Sequence, residues 1–128
     1  MLRLGAAAAV AALAACAAPL DMRPSRLVPL AATGAQPRVI ELIAPAAVQP
    51  AGGRRRPIEV GSTWQSVGRI DQGEVYKRLG GVFIVQARDV HEACLVVSDG
   101  KVVGVYLPVE QTFSPVVPPV QLTLRGTP

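Results

Sequence analysis

The stretch that decides the fold is HEACLVVSDGKVVGVYL, residues 91–107. Two valine-rich runs flank Asp99 and Gly100, and an Asp-Gly pair favours a two-residue β-turn because both turn positions require positive φ. The sequence therefore predicts an antiparallel hairpin with a fixed register. The expected facing pairs are Ser98 with Lys101, Val97 with Val102, and Val96 with Val103.

Both strands of this hairpin are apolar on two faces. Leu95–Val97 and Val102–Val105 contain no polar side chain at alternate positions. A strand with one face in solvent alternates apolar and polar residues, so these strands are expected to be central or to have their second face covered.

Other strand signals lie on either side of the hairpin. Runs rich in β-branched and aromatic residues, separated by glycine-containing turns, predict further strands. These runs are Gln65–Ile70, Glu74–Lys77, Gly81–Ala87 and Val120–Leu124. We expect an all-β fold, a small barrel or two-layer sandwich of about five or six short strands.

The composition changes near Pro57. Residues 17–57 hold seven prolines and no aromatic residue, and all five aromatic residues follow. A proline- and alanine-rich segment of this kind is typical of a chain without a packed core. We therefore predict a disordered, flexible tether that ends at residue 57 and a small β domain over residues 58–128.

Charge divides along the same boundary. Six arginines against Asp21 and Glu41 give the tether a balance of +4, and six basic against seven acidic residues give the remainder −1. The densest run is Arg54–Arg56, which is either a solvated hinge or a contact for an anionic partner such as lipid head groups or an acidic protein face. No aromatic residue interleaves these arginines to stack on bases, so nucleic acid is not an expected partner.

One apolar segment interrupts the tether. Residues 38–44 lie between Pro37 and Pro45 and read as an isolated strand. Such a strand can pair with a sheet edge in its own domain or in a partner, or it can be plain apolar linker. The candidate partner-binding residues are Val39, Ile40, Leu42, Ile43, Arg54, Arg55 and Arg56.

The sequence offers little support for catalysis. His91 is the only histidine, and Glu92 beside it points to the opposite face of a strand, so the two cannot form an acid–base pair. One histidine makes no zinc site, and the glycine pairs lack the context of a phosphate-binding loop. We predict no enzyme activity, no catalytic residue, no metal and no cofactor.

The N-terminus has the pattern of a secretory signal over residues 1–15. Arg3 precedes an apolar run, Leu4–Leu13, that is too short to span a bilayer. The segment Leu13-Ala14-Ala15-Cys16 resembles the lipobox of bacterial lipoproteins. The resemblance implies cleavage before Cys16, acylation of Cys16 with chains such as palmitate, and anchoring in membrane lipid, so residues 16–57 are expected to be an anchor and tether.

The resemblance also implies a location. In such lipoproteins an aspartate directly after the lipid-bearing cysteine retains the protein in the inner membrane. Ala17 at this position implies the periplasmic face of the outer membrane. With Cys16 acylated, Cys94 has no partner in the chain, and it is either buried or in an intermolecular disulfide.

Two functions are consistent with these features. The layout of lipobox, proline-rich linker, apolar segment and small β domain is similar to the lipoprotein subunit of type IV secretion and conjugation outer-membrane cores, which implies an assembly subunit that binds envelope proteins. The alternative is a ligand-binding or inhibitory lipoprotein that holds a small molecule, glycan or enzyme on Trp64, Tyr76 and Tyr106. The sequence leaves homo-oligomer formation open.

Overall fold

The computed structural model describes residues 18–128, so the predicted signal peptide over residues 1–15, Cys16 and Ala17 lie outside the described residues. This described part of the chain is built of antiparallel strands with one four-residue helix, which confirms the all-β prediction. The elements are β1 (Arg23–Pro24), β2 (Val28–Pro29), α1 (Leu30–Thr33), β3 (Val39–Leu42), β4 (Ala46–Val48), β5 (Arg56–Ile58), β6 (Thr63–Ile70), β7 (Gly73–Arg78), β8 (Ile84–Gln86), β9 (Val90–Glu92), β10 (Cys94–Ser98), β11 (Lys101–Leu107), β12 (Thr112–Gln121) and β13 (Leu124–Arg125).

The main sheet runs in the order β1-β12-β11-β10-β7-β6-β3-β13, with β2 paired to β6. In a flat sheet the six steps from β12 to β13 would cover about 29 Å. The chain from Gln121 to Leu124 reaches at most about 11 Å. The sheet therefore curls round until β13, which continues β12, pairs with β3. Of the two predicted architectures, barrel and two-layer sandwich, the chain adopts the barrel.

The predicted hairpin is formed by β10 and β11. Asp99 and Gly100 have φ of 53° and 76°, as the two-residue turn requires. The pairs Ser98 with Lys101 and Val97 with Val102 are confirmed. The pair Val96 with Val103 is wrong, because Val103 is the extra residue of a β-bulge and Val96 faces Gly104 instead.

Strands β7, β10 and β11 are buried on both faces, as the apolar pattern of the hairpin predicts. The barrel interior contains a large cluster that includes Leu95, Val105 and Leu107. The neighbouring positions point outward into a second cluster of Ile70, Val75, Cys94, Val96, Tyr106 and Phe113. Leu27, in the N-terminal segment, packs against this second cluster and helps to cover it.

The prediction of a flexible tether up to residue 57 is wrong for the described residues. β3 lies between β6 and β13, and Ile40 and Leu42 are each 1% exposed in the barrel core. Leu20 is also buried, and β1 pairs with β12. A few well-placed apolar residues are enough to include this segment in the core, despite its prolines and its lack of aromatic residues.

The prolines fit because of where they lie. Pro24 and Pro29 each end a two-residue strand, and Pro57 lies in the separate two-stranded sheet of β4 and β5. At such positions the missing N–H breaks no central ladder. The predicted strand over residues 81–87 is also corrected: only Ile84–Gln86 is extended, and it pairs with β9 outside the main sheet.

We expect Leu42→Ala to lower the free energy of unfolding by about 2–5 kcal/mol, because it leaves a cavity in the barrel core. Val39→Ala, in the same strand at an exposed position, should cost about 1 kcal/mol or less. Urea unfolding of the two variants measures the difference. Equal, small effects would show that β3 is not part of the core.

Candidate functional site

The candidate site is an open cleft of about 320 Å³, here called the arginine cleft, lined by Arg54, Arg55, Arg56, Ile84 and Gln86. Two hydrogen bonds join its walls. The Arg54 amide donates to the Gln86 carbonyl oxygen, and Arg56 Nε donates to the Ile84 carbonyl oxygen, each at 2.8 Å. The arginine run is therefore held against β8 and is not the free hinge that the sequence allowed.

Arg56 is fixed by the core of the barrel. Its guanidinium carbon lies 4.8 Å from the centroid of the Phe83 ring, a cation–π geometry. Phe83 contacts Trp64 edge to face, with 5.2 Å between the ring centroids. Trp64 in turn donates from Nε1 to Ser62 Oγ at 2.9 Å. Arg56 is thus half-buried and structural, whereas Arg54 and Arg55 are exposed.

The cleft carries unneutralised positive charge. Within residues 18–128, none of the ion pairs includes Arg54, Arg55 or Arg56. Guanidinium groups offer planar donors that match carboxylate and phosphate oxygens. The cleft is therefore suited to an anion.

The chain enters the fold beside this cleft. The Arg88 amide donates to the Ala18 carbonyl oxygen at 3.2 Å, and the Asp21 amide donates to the Ala51 carbonyl oxygen at 2.9 Å. Gly53 lies against Leu20, where an added Cβ would be 2.8 Å from a leucine methyl. The first described residues and the arginine run are consequently neighbours.

The hairpin of β8 and β9 has an apolar outer face next to the arginines. Val85 and His91 face each other on the inner side and are buried, while Ile84 and Val90 lie on the opposite side with exposures of 38% and 57%. Val82, just before the hairpin, is 60% exposed. Exposed valine and isoleucine beside arginine form an amphipathic surface.

A second cleft of about 240 Å³, here called the Pro118 cleft, lies between β4 and β12. β12 leaves β11 here, because none of the four residues between Pro115 and Val120 pairs with a residue of β11. Val117 is 81% exposed, and the Val117–Pro118 peptide is cis. The lining residues are Ala47, Val48, Gln49, Arg55, Val116, Val117, Pro118, Pro119 and Val120.

The predicted docking strand is not available to a partner. Ile40 and Leu42 are buried by the chain's own core, and β3 already has a neighbour on each edge. Of the three outcomes that the sequence left open, pairing within the same domain is the one observed. Val39 and Ile43 remain 52% and 41% exposed.

The aromatic residues predicted for a ligand pocket are not at the surface. Trp64, Tyr76 and Tyr106 are at most 3% exposed. The structure also separates them, since Trp64 and Tyr76 belong to the interior cluster and Tyr106 to the outer one. They form no common binding surface, and this prediction is wrong.

Sequence reasoning missed the partner of His91. His91 Nδ1 lies 2.6 Å from Glu110 Oε2, and the histidine is 8% exposed. Glu110 belongs to the loop between β11 and β12, nineteen residues away, so no local pattern signals the contact. Among residues 18–128, no group of three or more His, Cys, Asp or Glu side chains is placed to hold a metal ion.

Cys94 is a free, buried cysteine in the outer cluster. Burial raises the pKa of its thiol to about 11, with a smaller contribution from the negative charge of Glu92. A thiol in this environment reacts slowly, because the thiolate is the reactive form.

Comparisons of the chain with known protein families, with curated proteins and with solved structures find no match. No helix in the described part of the chain is long and apolar enough to cross a membrane. The class of protein that the structure defines is thus a small antiparallel β-barrel with an arginine cleft at its N-terminal entry.

We expect Cys94 in the folded protein to react with a maleimide at pH 8 about a hundredfold more slowly than an ordinary thiol, because a pKa of about 11 in place of 9.0 lowers the thiolate fraction by that factor. The rate should rise about tenfold per pH unit towards pH 11, and urea should abolish the difference. Mass spectrometry of the Cys94 peptide measures it. Fast labelling at pH 8 without urea would contradict the burial of this thiol.

Proposed function

We propose that this protein is a lipid-anchored lipoprotein of the bacterial outer membrane that serves as an assembly subunit and binds other envelope proteins at the Pro118 cleft. The observation that carries the proposal is the exposed apolar segment of β12. Val117 is 81% exposed beside Pro118 and Pro119, in a cleft whose other wall is β4.

The segment has free backbone as well as apolar side chains. Residues 116–119 have no β11 partner, and Val116 makes only a single bridge, to Pro50. An extended peptide that binds such a site gains apolar contacts along its length, and its N–H groups donate hydrogen bonds to the unpaired carbonyl oxygens of the site. The partner we propose is an extended apolar segment of another envelope protein.

The anchor rests on Cys16 and its resemblance to a lipobox. Leu20 is already in the core, so the folded part begins within a few residues of the acylated position. A flexible chain over residues 17–57 would have allowed about 35 Å between membrane and domain. The folded segment removes most of that reach, so the barrel lies directly on the membrane surface.

Ligand binding is the weaker proposal. It depends on exposed aromatic side chains, and the three candidates are in the core. The Pro118 cleft contains valine, alanine and proline but no aromatic residue. Such a lining favours contact with a peptide over stacking with a sugar or a heterocycle.

Replacement of the lipid-bearing residue tests the anchor. We expect Cys16→Ser to remain an unprocessed precursor that incorporates no palmitate, because the thioether and the cleavage that follows it both require the thiol. Metabolic labelling and the mass of the N-terminal peptide measure this. Acylation that persists in the variant would contradict the anchor at Cys16.

Replacement of Val117 tests the binding cleft. We expect Val117→Asp to lower in-cell crosslinking to envelope proteins by about tenfold or more, since a charge in an apolar contact costs well over 1 kcal/mol. Val60→Asp is the matched control, because Val60 is 56% exposed outside this cleft.

Both variants must first show wild-type urea unfolding. Equal crosslinking of the two variants and the native protein would remove the Pro118 cleft from the proposal. Crosslinks only between copies of this chain would replace the envelope partner with a homo-oligomer.

A further inference from the structure

We propose that the arginine cleft and the β8–β9 hairpin form a membrane seat, a surface that binds the phosphate groups of anionic phospholipids and orients the barrel on the bilayer. The membrane seat consists of Arg54, Arg55, Arg88, Ile84 and Val90. It rests on the proposed anchor at Cys16, and it adds a second, non-covalent contact with lipid.

The point of entry of the chain places the seat at the membrane. Ala18 hydrogen-bonds to the Arg88 amide, and the Arg54 amide hydrogen-bonds to Gln86 two residues earlier. Ala18 follows Cys16 by two positions, a reach of at most about 7 Å. An acyl group on Cys16 therefore holds Ala18, and the arginines beside it, at the depth of the lipid head groups.

The charge of the seat matches lipid phosphate. Arg54 and Arg55 are exposed and belong to none of the ion pairs among residues 18–128. Arg88 has a carboxylate neighbour, Asp89, but at 3.8 Å and with both side chains more than 60% exposed. Such a surface pair is weak and leaves the Arg88 guanidinium free to bind phosphate.

The apolar residues favour a membrane over a free anion. Ile84 and Val90 project from the same face of the hairpin and are 38% and 57% exposed. Inorganic phosphate would contact only the guanidinium groups. A lipid surface offers phosphate together with an acyl boundary in which isoleucine and valine are buried, and amphipathic surfaces bind bilayers through both.

The backbone and core hold this surface in a fixed shape. Arg56 is anchored over Phe83 and to the Ile84 carbonyl oxygen, so the arginine run cannot swing away from the hairpin. A rigid seat next to a short anchor permits one orientation of the barrel, whereas acylation alone would leave it free to rotate about the anchor.

The test uses the full-length lipidated protein, purified from cells and reconstituted in vesicles of phosphatidylcholine alone or with phosphatidylglycerol. Gln86→Cys places a thiol probe in the seat, and Lys101→Cys places one at the exposed end of β11. Cys94 does not interfere, because it is buried with a pKa of about 11. The rate of maleimide labelling reports whether each position is covered.

We expect the thiol at position 86 to react about a hundredfold more slowly on anionic than on neutral vesicles, since each of the three arginines of the seat contributes about fivefold to binding near an anionic surface. Labelling at position 101 should be unchanged. Added salt should weaken the protection, because it screens the phosphate contacts.

Variants identify the arginines. Arg54→Ala with Arg55→Ala should reduce the protection to about fivefold, the contribution of Arg88 alone, and Arg54→Lys with Arg55→Lys should retain much of the full protection. Arg69→Ala with Lys101→Ala removes the same charge from outside the cleft and should leave the protection intact.

Three results would overturn the membrane seat. The first is equal labelling of position 86 on anionic and neutral vesicles. The second is that the Arg69 and Lys101 control variant loses as much protection as the Arg54 and Arg55 variant. The third is that inorganic phosphate alone protects position 86 on neutral vesicles. The mass of the N-terminal peptide is read in the same samples. An acylated Cys16 without protection contradicts the seat and leaves the anchor standing, and protection without acylation contradicts the anchor and leaves the seat standing.

Discussion

Closure of the barrel between β13 and β3 is the constraint on which the rest of the structure depends. β13 follows β12 after two residues, and it can pair only with a strand that lies at the other end of the sheet. β3 provides that strand, and its two inward side chains, Ile40 and Leu42, fill the interior next to Trp64. Without β3 the β6 edge over residues 63–65 would be unpaired and the core would be open on one side.

This closure explains why the N-terminal segment cannot be a tether. Once residues 39–42 are required in the sheet, the residues around them must run over the barrel. β1 pairs with β12 and β2 with β6, and Leu27 covers the outer cluster. The same path fixes Ala18 beside Arg88 and Leu20 beside Gly53. The position of Ala18 and Leu20 next to the arginine cleft therefore follows from the topology of the sheet.

The all-β class and the central hairpin could be predicted from the sequence because their signals are local. The Asp99-Gly100 turn and the two-faced valine pattern need no knowledge of distant residues. The bulge at Val103 could not be predicted in this way, since it depends on the packing of Phe113, whose ring lies where a side chain on Gly104 would project. The contact of His91 with Glu110 likewise joins β9 to the loop between β11 and β12, which only the closed barrel brings together.

The packing of the arginine run could not be predicted from the sequence. The run Arg54–Arg56 was consistent with either a solvated hinge or a contact for an anionic partner. The structure adds the hydrogen bonds to β8 and the contact of Arg56 with Phe83, and both require a hairpin about thirty residues further along the chain. Arg55 lines both the arginine cleft and the Pro118 cleft, whereas Arg54 lines only the first. A barrel seated through the arginine cleft would therefore hold the Pro118 cleft close to the membrane surface, so that a partner segment would have to approach along the membrane. Arg55 belongs to both proposed contact sites, the membrane seat and the Pro118 cleft. A substitution of Arg54 alone therefore changes the membrane seat and leaves the lining of the Pro118 cleft intact.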